Sequence, residues 1–313
     1  MIIDAHNHVW TWENLPDAYY DSFAGVISNF IREILGKEMS PAQVKKNILD
    51  NYMDKDGSKL IQIMDASGVD MAFILALDWG YGHGEAKLSA KEINRFYGSI
   101  AKTYPDRLVA FAGVDPRRPD AVDILDQAVT DYGCRGLKYH PTAGFYPDSE
   151  ESYKVLEKAR ELGLPLISHL GPISRPYKSK YAQPVYLDTI VTDFPELTVI
   201  GAHLGFCWWH ELVNLMGANR TTFYADFSGH QQRARDNFPE FCRVLRTAMD
   251  EAGASRIMWG TDNPPLENTI PMKKWKEMIQ DLANKAPDGL EFKKEEIDAI
   301  LGGNAERIVN QLP

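Results

Sequence analysis

Two histidines stand one residue apart near the start of the chain, in Asp4-Ala5-His6-Asn7-His8, directly after the apolar run Met1 to Ile3. In a strand, side chains alternate faces with a period of two, so His6 and His8 project together while Asn7 points away. A pair spaced this way can converge on one cation, and imidazole nitrogen is a common ligand of zinc and similar ions. Paired histidines also occur in ordinary loops, so the pair gains meaning only from what the rest of the chain brings to it.

Later apolar runs each end on a residue capable of chemistry. His169 closes Leu164 to His169, His203 closes Leu197 to His203, Asp262 follows Arg256 to Thr261, and Lys138 with His140 ends Gly136 to His140. Zinc in a hydrolytic site takes three or four nitrogen and oxygen ligands and leaves a position open for water or substrate. His6, His8, His169 and Asp262 supply that set. One divalent ion is therefore expected, zinc first and manganese as the alternative. It would lower the pKa of a bound water, with Asp262 accepting the proton. His203 would stand across the site as an acid/base group or oxyanion partner, so its loss should spare the metal. Singly, each of these residues has a plainer reading: a histidine satisfying a backbone group, an aspartate capping a turn. Lys138 and His140 share a strand face and are either substrate contacts or satisfied core groups.

Residues at the ends of separate strands meet only if those strands lie parallel with their C-terminal ends on one rim, which is the geometry of a (β/α)8 TIM barrel. Eight candidate strands are present: Met1 to His6, Asp70 to Leu77, Leu108 to Val114, Arg135 to His140, Leu164 to His169, Leu197 to His203, Thr222 to Phe227 and Arg256 to Thr261. Amphipathic patterns between them predict helices, as in Tyr153, Leu156, Ala159 and Leu162. That helix should open on a capping box of Asp148 and Glu151 and stop at Gly163. Others are expected near Ala90 to Tyr104, Asp120 to Tyr132, Gln183 to Phe194, Glu240 to Ala252 and Pro271 to Asn284. Residues 9–58 are too long for a simple connection and form a rim insertion, a wall or lid over the site. Within it, Ser40-Pro41 reads as a cap and first turn of a helix carrying Val44, Ile48, Leu49 and Tyr52. Further helices after Asp262, at Glu295 to Ile300 and Ala305 to Gln311, should pack under or beside the barrel.

Composition permits one domain over residues 1–313. The chain is 44% hydrophobic, enough for a large core, and its formal charge of -10 argues against a nucleic-acid surface. Cys134, Cys207 and Cys242 form an odd set without metal-type spacing, which suggests small buried residues in a reducing compartment. No charged-then-apolar leader is seen and Met71 to Leu77 is too short to span a bilayer, so the expectation is a cytoplasmic protein without a membrane partner.

In combination, the motifs DAHNH at His6 and His8, GLKYHP at Lys138, GLPLISHLG at His169, FPELTVIGAHLG at His203 and GTDNP at Asp262 resemble the amidohydrolase superfamily, and within it the amidohydrolase-2 group. The resemblance spans nearly the whole chain. It implies that His6, His8, His169 and Asp262 bind a catalytic divalent metal, usually zinc, and that His203 is an acid/base or substrate-polarising residue. It implies either hydrolysis of an amide, ester or lactone, or non-oxidative decarboxylation of an aromatic or unsaturated acid. Binuclear members of the superfamily bridge two metals with a carboxylated lysine, a role open to Lys138, although the KYHP context resembles the mononuclear group. It also suggests a homo-oligomer.

The small-molecule substrate is expected to meet Trp10, Trp12, Trp79, His83 and Arg175, aromatic walls with a cation that suit a flat, anionic ring. Arg32 in the insertion is a second candidate cation. His83 and His230 are expected in exposed rim loops and His210 on a helix surface. Hydrolysis of a carboxylate-bearing cyclic ester or amide is preferred, because one rim arginine is a thin hold on a departing carboxylate. Decarboxylation is the alternative, and a barrel that binds metal or ligand without turnover is a third reading.

Overall fold

The computed structural model describes residues 1–219 and 222–313. Eight parallel strands lie side by side in chain order: β1 Ile3–Asn7, β2 Met71–Leu75, β3 Leu108–Gly113, β4 Gly136–Tyr139, β5 Leu166–Ser168, β6 Val199–Gly201, β7 Phe223–Asp226 and β8 Ile257–Met258. The last segment returns to the first: Ala5 N donates to Trp259 O at 3.0 Å, Asp262 N to His6 O at 2.8 Å and His8 N to Asn263 O at 2.8 Å. The expected (β/α)8 barrel is what the chain forms.

Alternation divides each strand between two cores. Met71, Phe73 and Leu75 point inward with Ile3, Val109, Phe111, Ile167, Ile200 and Met258, while Ala72, Ile74 and Ala76 face the helices. Both faces are buried, which is why these strands read as continuous apolar runs. Gly136 is required at the start of β4, because a Cβ there would sit 2.2 Å from the Phe111 ring. Ala305 and Ile308, from the C-terminal helix Asn304–Val309, join the interior cluster and close the barrel from below, as the expected position beneath the barrel requires.

Helices fall where periodicity places them, with local differences. Ala90–Thr103 is fixed by a capping box between Ser89 and Glu92. The helix Glu150–Glu161 is capped by Ser149, whose hydroxyl accepts from Ser152 N at 3.3 Å, and not by the expected pair of Asp148 and Glu151. Gly163 ends that turn at a φ of 67°. Cys134 and Cys242 are buried as expected, whereas Cys207 is exposed. No described helix is long and apolar enough to cross a membrane.

The insertion holds two helices, α1 (Asp17–Leu35) and α2 (Pro41–Asn47). α2 starts on Ser40 with a full capping box to Gln43, as expected. α1 was not anticipated. The two helices build a separate aromatic core on the rim from Trp10, Leu15, Tyr19, Tyr20, Ala24, Ile31, Val44, Leu49, Tyr52, Leu77, Trp79 and Tyr177. The insertion is thus a packed wall that adds its own apolar layer above the strand ends.

Candidate metal centre

β1 carries one extra residue relative to β2: Asp4 pairs with Ala72, but Asn7 pairs with Ile74. A bulge of this kind re-aims the side chains beyond it. Within it, His6 donates from Nδ1 to Asp226 Oδ2 at 3.0 Å. His8 donates from Nδ1 to the Leu75 carbonyl at 2.7 Å. A carbonyl or ionised carboxylate oxygen can only accept, so each ring keeps its hydrogen on Nδ1 and presents a lone pair at Nε2. Both Nε2 atoms face Asp262 Oδ1, at 3.8 Å from His6 and 3.3 Å from His8. The ligand atoms of these three residues all lie within 4.8 Å of one another. Asp262 reaches this place at a φ of 55°, a conformation that costs a non-glycine residue on the order of 1 kcal/mol and recurs at functional sites.

His169 and His203 stand beside this triad. His169 Nδ1 is 3.0 Å from His203 Nε2, and His203 Nδ1 is 2.9 Å from Ser228 Oγ. His169 Nε2 is buried with no partner among the described residues. Asp226, at the end of β7, ties the site together. Its Oδ2 accepts from His6, and its Oδ1 accepts from His203 N at 3.2 Å, Ser228 N at 3.0 Å and the Ser228 hydroxyl. His140 stacks on His169 with ring centroids 4.1 Å apart and is held at Nδ1 by Thr142 Oγ1 at 2.8 Å.

Burial pushes His6, His140, His169 and His203 well below the usual imidazole range. The Lys138 charge is the next cause for His6 and His169, neighbouring histidines for the other two, and a Gly171 backbone contact opposes part of the shift at His169. Neutral imidazole is the form that binds metal. Lys138 Nζ lies 3.3 Å from His6 Nε2, and burial lowers its pKa to about 8 against the pull of Asp226 and Asp262. Converging imidazole lone pairs, an unpartnered buried nitrogen and a mixed nitrogen and oxygen donor set all fit a divalent cation, which would take the His6 Nε2 lone pair in place of the Lys138 contact.

One cavity of about 70 Å³ is lined by His6, His8, Trp10, Tyr19, Leu77, Trp79, Lys138, His140, His169, Ile173, His203, Asp262 and Pro265. It collects the predicted metal ligands with His203, Lys138, His140, Trp10 and Trp79, but not Arg175, Arg32, Trp12 or His83. Arg175 is exposed and away from the cavity; its carbonyl accepts from Ser22 Oγ at 2.6 Å. Arg32 is also exposed, beside Asn29 and Glu33. Lys138 is the one cation lining the cavity among the described residues. Trp12 turns outward and donates to Asp50 at 2.9 Å, whereas His83 is half-buried against Tyr177. His210 is exposed as expected, but His230 is buried, with Nε2 3.0 Å from the His203 carbonyl. Sequence reasoning missed Tyr19, Ser228 and Asp226. Of these, Asp226 carried a signal, its place at a strand end.

A family model described as amidohydrolase matches residues 3–311. Among solved structures, an uncharacterised TIM-barrel protein from Bordetella bronchiseptica is 21% identical with a TM-score of 0.68, covering 99% of this chain and 98% of that one. A 5-carboxyvanillate decarboxylase from Novosphingobium aromaticivorans, complexed with manganese and 4-hydroxy-3-methoxy-5-nitrobenzoic acid, is 16% identical with a TM-score of 0.66, covering 99% and 96%. A probable 2-pyrone-4,6-dicarboxylic acid hydrolase from Acinetobacter baumannii is 15% identical with a TM-score of 0.63, covering 99% of each chain. No curated protein matches.

Proposed function

Because this chain belongs to the amidohydrolase family and is an enzyme of that superfamily, we propose that it is a divalent-metal-dependent hydrolase of a small cyclic ester or amide bearing a carboxylate. The observation that carries the reading is the meeting of two Nε2 lone pairs and the Asp262 carboxylate within 4.8 Å in a cavity with aromatic walls. His6, His8 and Asp262 hold one ion, with His169 as the fourth ligand through its unpartnered Nε2. Zinc is the first choice for this donor set, and the manganese in a similar decarboxylase structure supports the alternative. When bound, such a cation supplies a water that ionises near neutrality and polarises a substrate oxygen.

The remaining work falls to side chains. Asp262 accepts the proton released from water, and His203 serves as the second acid/base group once the substrate disturbs its hydrogen bonds. Lys138 binds the substrate carboxylate, since it alone brings positive charge to the cavity among the described residues. Trp10, Trp79 and Tyr19 bracket a flat ring, and the insertion above them excludes water. One ion is proposed, not two, because His6, His8, Asp262 and His169 make up one set of ligands, and Lys138 is given to the substrate carboxylate instead of to a bridge between two ions.

Decarboxylation is the second reading, favoured by one observation: the single lysine sits among aromatic walls, and a carboxylate desolvated there loses CO2 more readily. The similar decarboxylase holding a nitrobenzoic acid supports it. A panel of lactones, cyclic amides and aromatic or unsaturated acids, turned over in oxygen-18 water, separates the two. Solvent oxygen in a product carboxylate is the expected result. Metal-dependent CO2 release without incorporation of solvent oxygen would establish the second reading instead.

A further inference from the structure

Ser228 lies directly after β7, fully buried, between the Asp226 carboxylate and the His203 ring. Its hydrogen bonds fix where protons must be, one bond at a time. Backbone N–H groups can only donate, and those of His203 and Ser228 both point at Asp226 Oδ1, at 3.2 Å and 3.0 Å. That oxygen is therefore an acceptor, and the Ser228 hydroxyl spends its single hydrogen on it. What Ser228 Oγ then offers His203 is a lone pair. The Ser228 carbonyl, 3.3 Å from the same ring nitrogen, can also only accept. Both contacts require a hydrogen on His203 Nδ1.

A neutral His203 with its hydrogen on Nδ1 has a bare Nε2. The neighbour of that atom is His169 Nδ1 at 3.0 Å, which must donate, so the hydrogen of His169 is on Nδ1 as well. The nitrogen left over is His169 Nε2, the buried atom without a partner.

We infer that Ser228 is a positioning residue: through the series Asp226, Ser228, His203, His169 it fixes both ring hydrogens so that His169 offers an unprotonated Nε2 to the metal centre. The inference rests on the proposed reading of His169 as a ligand. It extends to His169 the arrangement already seen at His6 and His8, where an acceptor on Nδ1 frees Nε2. Asp226 thereby serves two arms of the site, holding His6 directly and His169 through three hydrogen bonds. Partners that orient a ligand in this way are worth roughly 10-fold to 100-fold in metal affinity.

The test combines two readouts that a merely structural serine would leave alone. Protein labelled with nitrogen-15 at histidine, with His169→Gln and His203→Gln for assignment, reports which ring nitrogen carries hydrogen in the metal-free chain. Metal affinity is measured in parallel by competition with a chelator, and thermal unfolding of the metal-free protein checks the fold. The wild-type protein should show hydrogen on Nδ1 of both rings. Ser228→Ala should mix the forms of His203 and weaken affinity roughly 10-fold, the low end of the range because the Ser228 carbonyl remains. Ser228→Thr, which restores the hydroxyl, should recover both. Hydrogen on His169 Nε2 in the wild type, or unchanged spectra and affinity in Ser228→Ala, overturns the inference. If the wild-type protein takes up no divalent metal, the reading of His169 as a ligand is lost, and the spectra of the metal-free chain still decide the assignment of hydrogens.

Discussion

Asp226 accepts four hydrogen bonds in the site and was inconspicuous in the sequence. Its carboxylate takes the ring of His6, the backbone of His203 and both donors of Ser228. Its place at a strand end was the one signal it carried, and a lone aspartate there has no spacing to a partner that would single it out. His6 and His8 were legible because period-two alternation makes them a pair, and Asp262 because its segment repeats the pattern of apolar strand then polar end. His203 was legible as a site residue but not in its contacts, since a sequence cannot show that both ring nitrogens meet protein partners. At saturating metal, His203→Asn is expected to keep the fold and a loaded site while lowering turnover roughly 10²-fold to 10⁴-fold, the range for a lost acid/base group. Metal content and rate measured on one sample check it. A variant that stays empty at saturating metal would make His203 a ligand.

At the scale of elements, the strands and most helices were readable because each buries a face with a fixed period. α1 was not, for identifiable reasons. It begins after Pro16 without a side-chain cap, and its buried face mixes Tyr19, Tyr20 and Ser28 with Ala24 and Ile31. That face packs against the rim of the barrel, a surface invisible to any local pattern. Rim loops failed for a related reason, since no periodicity governs which way a loop side chain turns. Arg175 points to solvent, and His230 is buried beneath His203. α1 matters for function through Tyr19, which lines the cavity with its ring 4.6 Å from that of Trp79. Tyr19→Ala should raise KM for a ring substrate about 10-fold or more, with metal content unchanged, as loss of an aromatic wall predicts. An unchanged KM would mean that the insertion packs on the rim without shaping the substrate site.

The whole molecule stores several imidazoles in neutral form, and this makes its stability depend on pH. His230 is held down to about 4, first by burial and then by the charge of Arg233. The unfolded chain protonates that ring near the ordinary value of about 6.5, so between the two values the unfolded state binds the extra proton. Stability from His230 is therefore full above about 6.5, falls as pH drops, and stops falling below about 4, with a slope of at most about 1.4 kcal/mol per pH unit. Denaturant unfolding of the metal-free protein across that window should show a shallower slope in His230→Gln than in the wild type, and equal slopes would remove the assignment. Barrel closure serves the site in turn: the bonds that join Asp262 to His6 and Asn263 to His8 bring the Asp262 carboxylate of the eighth segment to the first strand's histidine pair. The central claim is that this closure assembles a binding site for one divalent ion. Its most direct measurement is metal stoichiometry by elemental analysis of protein purified with zinc or manganese present, beside His6→Ala and Lys138→Ala. One equivalent per chain in the wild type and in Lys138→Ala, with little or none in His6→Ala, is the predicted result; no metal in the wild type, or two equivalents with one lost in Lys138→Ala, would contradict it.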